Sequence, residues 1–244
     1  MIRTAEMTES SKQSDQVMVV TSVSYRYPRS DADVVKDFSH CFRAGTVTAL
    51  VAPSGAGKST LLSILGLLLQ PRIGNITIDG VLADWRKRSR LIELRTDRYG
   101  WILQSNACFE ARTALDNVAI ALLASGARMA AARSAARDAL DAVGLAHRAD
   151  MPARMLSGGE QQRMTIARAL LGDRPVLLAD EPTGNLDRAN SQMVVSALRA
   201  CADSGTTVIV ATHDLEAASM ADGVIDLARN AYSANITDGL VGAP

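Results

Sequence analysis

The sequence predicts an α/β fold, with a mostly parallel sheet covered by helices. Three observations carry this. Short runs rich in β-branched residues alternate along the chain with helix-length amphipathic stretches. A glycine-rich segment, APSGAGKST (52–60), lies between such a run and a helix. Two adjacent carboxylates, Asp180 and Glu181, end a third apolar run, which is where open parallel sheets gather ligands.

Residues 1–16 are polar, with Glu6, Glu9, Lys12 and Asp15 and no apolar stretch, and read as a disordered tail rather than a secretory leader. Residues 17–23 and 46–51 read as strands and 58–69 as a helix. Short strands are expected at 75–78 and 99–103. From 114 to 143 the composition becomes alanine-rich with scattered Arg and Asp and no strand-like run. A helical subdomain inserted at about 105–172 accounts for this. Strands return at 176–179, 206–211 and 223–227, separated by helices at 188–202 and 214–220. The main domain is therefore expected to span 17–230, with a short tail at 231–244.

Composition narrows the function. The 244 residues are 48% hydrophobic and 21% charged, enough to bury a sizeable core. The 26 basic and 26 acidic residues cancel, so nothing electrostatic points to a nucleic-acid partner. Cys41, Cys108 and Cys201 form no CxxC pair and read as reduced thiols of a cytosolic protein. No run approaches the roughly 18 apolar residues of a membrane span. Any work on a membrane is expected to pass through a partner.

The segment 52–60 is a phosphate site. Gly55 and Gly57 let the backbone turn tightly and aim N–H groups at one point, and the following helix adds its positive end. Ser54, Gly55, Ala56, Gly57, Lys58, Ser59 and Thr60 form the expected cradle. Lys58 supplies a cation for β- and γ-phosphates, and Ser59 a hydroxyl for Mg²⁺. Ala52 stands where the G-x-x-x-x-G-K-[ST] pattern has its first glycine. A slightly altered turn is expected there, not a lost site. In VLLADEP (176–182), Asp180 is placed to hold Mg²⁺ through its water shell and Glu181 to polarise the attacking water as general base.

LSGGEQQR (156–163) resembles the signature motif of ATP-binding-cassette (ABC) proteins. It also reads as a capping box, with Ser157 as N-cap and Glu160 three residues on, and the two readings are compatible. The resemblance implies that Ser157, Gly158, Gly159 and Glu160 meet the γ-phosphate of ATP bound to the opposite subunit. Further matches follow in the family's order. Gln104 resembles the Q-loop glutamine that contacts Mg²⁺ and the water. Asp187, in GNLD (184–187), resembles the D-loop that crosses the dimer interface. His213, in ATHD, resembles the switch histidine at the γ-phosphate. Tyr27, in VSYRYP, resembles the aromatic that stacks on adenine, with Tyr25 as the neighbouring alternative.

The resemblance covers about 17–227. It implies a P-loop core, an antiparallel β subdomain and the inserted helical subdomain. ADEPTGNLD and LRTDRYGWILQ look most like the subgroup of macrolide exporters, lipoprotein-release ATPases, haem and antimicrobial-peptide efflux systems and a cell-division ATPase. After Gln104, however, the chain reads SNACFEARTALDNV where that subgroup has a Leu-Leu-Pro segment, which leaves the membrane partner open. The expectation is an ATPase that clamps two Mg·ATP between two copies of itself and drives a separate permease at the cytoplasmic face of the membrane. Lys58, Glu181, His213 and Gln104 would carry catalysis. A same-fold ATPase working a membrane protein as a mechanical switch, without transport, is the alternative. A role in translation or DNA repair is disfavoured by the single cassette, the lack of a heptad array and the lack of a basic patch.

Overall fold

The computed structural model describes residues 16–53, 55–103, 107–172, 174–184, 186–213 and 218–229, and the backbone of 231–234. Along the chain come β1 (Gln16–Tyr25), β2 (Val35–Arg43), β3 (Val47–Val51), α1 (Lys58–Leu65), β4 (Ile73–Ile78) and β5 (Val81–Leu82). Then follow α2 (Arg88–Arg98), β6 (Tyr99–Ile102), α3 (Ala114–Leu123), α4 (Met129–Ala142) and α5 (Gly158–Leu170). The chain continues through β7 (Val176–Asp180), α6 (Arg188–Asp203), β8 (Thr207–Thr212), β9 (Gly223–Asp226) and β10 (Ala231–Ala234).

The strands form two sheets. One is antiparallel, in the order β2-β1-β4-β5. The other runs β10-β9-β3-β8-β7-β6 and is parallel except at β10, which pairs antiparallel with β9. This sheet is covered on both sides, so its strands are nearly continuous apolar runs. Alternate residues divide between two cores. Leu50, Leu178, Ile209 and Ala211 pack with α1 and the antiparallel sheet. Ala49, Leu177, Ala179, Val208 and Val210 pack with the helices on the other side.

Helices α3, α4 and α5 lie between β6 and β7. Thr113 caps α3 by accepting the Asp116 N–H at 3.1 Å. In α4, Ala132, Ala136 and Leu140 recur every four residues and are buried, giving a narrow apolar stripe that lets the helix lie close to α3. Arg133 of α4 pairs with Asp116 of α3. The buried Asn117 carboxamide accepts the Phe109 N–H at 2.7 Å and donates to the Phe109 and Thr113 carbonyls at 3.0 Å, fixing the segment that enters α3.

Several elements differ from the sequence expectation. α1 stops at Leu65 rather than residue 69, because Gly66 packs against Trp101 and Leu67 adopts φ 59°. β2 was not anticipated: its alternation is broken by a register shift and by Asp37 at φ 46°. α2 was also missed, since only Leu91 and Leu94 are buried along a charged helix. β10 carries the sheet into the stretch expected to be a tail. Residues 1–15 and 235–244 lie outside the described residues, as does most of the helix expected at 214–220.

Gly66 yields a stability prediction. A Cβ there would fall 1.9 Å from Trp101 Cζ2 and 2.8 Å from Leu178 Cδ1, although the backbone φ of −84° suits any residue. Gly66→Ala should therefore cost about 1–3 kcal/mol through overpacking alone. Urea unfolding followed by tryptophan fluorescence checks this, and an unchanged midpoint would mean that the indole yields freely.

Candidate functional site

The turn after β3 is shaped by two glycines at positive φ, Gly55 at 81° and Gly57 at 93°. Gly57 has a second reason to lack a side chain, because a Cβ would lie 2.9 Å from Val34 Cγ1 and 3.0 Å from the Val34 carbonyl oxygen. Gly57 is the N-cap of α1 and accepts the Leu61 N–H at 2.8 Å. No side chain caps this helix end, so it keeps the backbone donors that suit an anion. Ala52 lies outside the left-handed region, so alanine carries no strain in place of glycine. Its carbonyl accepts a 2.7 Å hydrogen bond from Lys58 Nζ.

Strand register brings the other charged groups to the same level. Val51 pairs with Thr212 and Asp180 with Ala211, so β3, β7 and β8 end side by side. Lys58 Nζ lies 3.7 Å from Glu181 Oε1, with the two side chains only 7% and 12% exposed. His213 Nδ1 is 2.9 Å from Glu181 Oε2, and the His213 N–H donates to the same oxygen at 3.3 Å. Glu181 itself turns the chain off β7 at φ 47°, a left-handed conformation that costs a glutamate about 1 kcal/mol or more. Its N–H donates to Ala211 O at 2.8 Å and its carbonyl accepts from Gly184. The carboxylate is thus held between a lysine and a histidine.

Asp180 lies one residue earlier. Burial pushes its carboxyl above the usual aspartate value and the neighbouring Glu181 charge adds to this, while a hydrogen bond with Ser59 and the Lys58 charge pull it back. Its Oδ1 is buried and has no hydrogen-bond partner among the described residues. An orphaned carboxylate oxygen beside the Ser59 side chain fits a hydrated divalent cation. Among the described residues no three His, Cys, Asp or Glu cluster as a metal cage. Mg²⁺ bound mainly through substrate phosphates is compatible with so few ligands.

The tyrosine alternative divides by burial. Tyr25 is buried in the core, whereas Tyr27 is 43% exposed and shares a 3.0 Å hydrogen bond between its hydroxyl and Thr60 Oγ1 on α1. The two rings meet edge to face with centroids 5.0 Å apart. Tyr27 therefore stands beside the phosphate loop.

Ser157 to Glu160 form a complete capping box. Ser157 Oγ accepts the Glu160 N–H at 3.3 Å, and Glu160 Oε2 accepts the Ser157 N–H at 2.8 Å. That backbone hydrogen bond is the largest influence holding the Glu160 carboxyl below its ordinary value. A Cβ on Gly158 would meet nothing within 4 Å, and one on Gly159 only Leu186 at 3.4 Å. Asp187 caps α6 by accepting the Asn190 N–H at 2.9 Å, which lowers its carboxyl. Ser157, Gly159, Glu160 and Asp187 line one open concavity with Arg148 and Arg163, to which no described residue of 52–60 contributes. The phosphate loop and the signature segment thus open separately on one chain.

Ser54 and Gln104 lie outside the described residues. Two groups were not found by sequence reasoning. Val34 packs on Gly57 from a loop before β2, and Arg148 reaches Glu160 at 3.0 Å from a 3₁₀ turn. Neither carries a local motif.

The family profile described as ABC transporter matches residues 35–184. The chain is 39% identical over 207 residues to the lipoprotein-releasing system ATP-binding protein LolD 1 of Caulobacter vibrioides, covering 84% of this chain and 88% of that protein. It is 37% identical over 218 residues to the macrolide export ATP-binding/permease protein MacB of Bartonella henselae, covering 88% of this chain. The chain spans only a third of the length of that relative, 33%. Among solved structures it resembles the dimeric ATP-binding cassette MJ0796 in a post-hydrolysis state bound to ADP and Pi. The TM-score there is 0.83, with 28% identity, over 91% of this chain and all of the other. With a phosphate loop, a paired-carboxylate strand end and a signature-type helix cap on one P-loop fold, the chain belongs to the ABC transporter family, as its ATPase cassette.

Proposed function

We propose that this chain binds and hydrolyses Mg·ATP as a head-to-tail dimer and thereby drives a permease at the cytoplasmic face of a membrane. The convergence of Lys58, Glu181 and His213 at the ends of β3, β7 and β8 carries this reading. The Gly55–Gly57 turn and the uncapped start of α1 cradle the phosphates, with Lys58 exchanging the Ala52 carbonyl for phosphate oxygens. Tyr27 offers a ring for adenine next to Thr60. Ser59 and Asp180 would hold Mg²⁺, which supplies positive charge against the phosphate oxygens, and Gln104 would join them. Once Lys58 turns to the phosphates, Glu181 Oε1 is released to orient and deprotonate water. His213, paired with Oε2 of the same carboxylate, would contact the γ-phosphate. Donors and charges preset in this way account for most of the expected acceleration.

The dimer follows from the separation of the two openings. Ser157, Gly159, Glu160 and Asp187 line a concavity apart from the described part of the chain's own phosphate loop, so a second copy is the natural source of the facing nucleotide. The dimeric state of the solved cassette supports this arrangement. The names of the relatives support a substrate of the macrolide or lipoprotein type, and the resemblance of ADEPTGNLD and LRTDRYGWILQ keeps peptide and haem export within the proposal. No helix among the described residues is long and apolar enough to cross a membrane. The proposal of a separate permease subunit rests on the likeness to LolD 1, named as the ATP-binding protein of its system. The cassette is proposed to occupy 17–230, with the helical subdomain at about 105–172.

Three predictions test this reading. Glu181→Gln should lower phosphate release by roughly a hundredfold or more while ATP binding persists. Unchanged turnover would place the general base elsewhere. Lys58→Ala should weaken binding or turnover at least about tenfold, or 1.4 kcal/mol, whereas Ala52→Gly should change either only slightly. A large gain from the glycine would show the native loop to be impaired. In the Glu181→Gln chain, light scattering should report a shift from monomer to dimer with Mg·ATP but not with ADP, and Ser157→Arg should abolish the shift. Equal dimerisation with and without Ser157→Arg would leave the signature segment a helix cap only.

A further inference from the structure

The signature opening contains an electrostatic conflict. The open start of α5 suits an anion, yet the sequence places a carboxylate, Glu160, within its first turn. The capping box fixes that carboxylate in place, because Oε2 is committed to the Ser157 N–H at 2.8 Å. Left unpaired, it would repel the phosphates that Ser157 and the two glycines are proposed to meet.

We propose that Arg148 is a positioning residue that masks Glu160, so that the mouth of α5 can receive the polyphosphate of a nucleotide held by a second copy of this chain. This rests on the signature reading given above. Arg148 Nε donates to Glu160 Oε1 at 3.0 Å, using the oxygen that the capping box leaves free. The guanidinium is pre-set rather than floating. Its Nη1 also contacts Met151 Sδ at 3.9 Å. The Arg148 N–H donates to Leu145 O and its carbonyl accepts from Met151, both at 2.9 Å. The charges lining the concavity are Arg148 and Arg163 against Glu160 and Asp187, a formal balance of zero that loses one positive charge without Arg148. Arg163 does not duplicate the mask: among the described residues the ion pair of Glu160 is with Arg148, and the Arg163 charge acts on Asp187.

The test uses the full chain with Glu181→Gln, reading Mg·ATP-driven dimerisation by light scattering. ATP binding to each chain's own phosphate loop is read separately, at low protein concentration. Arg148→Ala should weaken dimerisation about tenfold and leave that binding unchanged. Adding Glu160→Gln to Arg148→Ala should restore the dimer, because glutamine closes the same capping box without a charge. A merely structural tether between the 3₁₀ turn and α5 would not be rescued in this way. A double variant as weak as Arg148→Ala therefore overturns the mask. A full-strength dimer with Arg148→Ala, where Ser157→Arg still abolishes it, overturns the mask and leaves the signature reading standing. If the parent chain fails to dimerise or Ser157→Arg has no effect, the reading and the mask fall together.

Discussion

The register of three parallel strands is the constraint on which the rest depends. Leu50, Ala211 and Asp180 lie in one row across β3, β8 and β7, and the chain leaves all three strands within two residues of that row. A parallel sheet forces its strands to end on the same side, so whatever follows them meets there. The phosphate loop follows β3, Glu181 follows β7 and His213 follows β8. A slip of one residue in any strand would exchange its core and opposite faces, which the burial of both sides forbids. The two hydrophobic cores therefore fix the geometry of the candidate site as well as the fold.

Backbone conformations restricted to a few residue types mark the exits from this sheet. Gly57 is excluded from carrying a side chain twice, by φ and by Val34. Glu181 accepts a left-handed conformation that glycine would adopt freely, and its carboxylate gains fixed partners in exchange. Ala52 is the opposite case. The motif has a glycine there, but the conformation does not require one. The departure from the pattern is thus structurally silent, and the Lys58 side chain still finds the Ala52 carbonyl.

The helical part combines local capping with longer-range electrostatics. The same four residues that terminate α5 correctly also form an opening with two bare glycines. The capping box closes on the Ser157 and Glu160 N–H groups, and the proposed recognition falls on the same helix start, so a capping box and a signature motif can be one string. The segment after Gln104 departs from the related subgroup in sequence, yet Asn117 holds Phe109 through paired backbone hydrogen bonds. The segment is thus tied at Phe109, whose ring stays exposed.

The sequence by itself determined the α/β class and the order of most strands and helices, and it named the candidate residues from which the site is proposed. These are encoded locally: β-branched runs, a glycine-lysine-serine turn before a helix, adjacent acids at a strand end, and serine and glutamate spaced as a cap. What it could not determine were elements without a local signature. β2 hides behind a broken alternation, and α2 behind a surface dominated by charge. The choice between Tyr25 and Tyr27 needed the position of Thr60, and the contacts of Val34 with Gly57 and Arg148 with Glu160 needed the packed chain. Each joins residues that only packing brings together, so spacing along the chain carries no trace of them. Lys58, Glu181 and His213 were each readable as motifs. Their meeting within hydrogen-bond and ion-pair distance was decided by strand register, a property of the folded sheet rather than of any one segment.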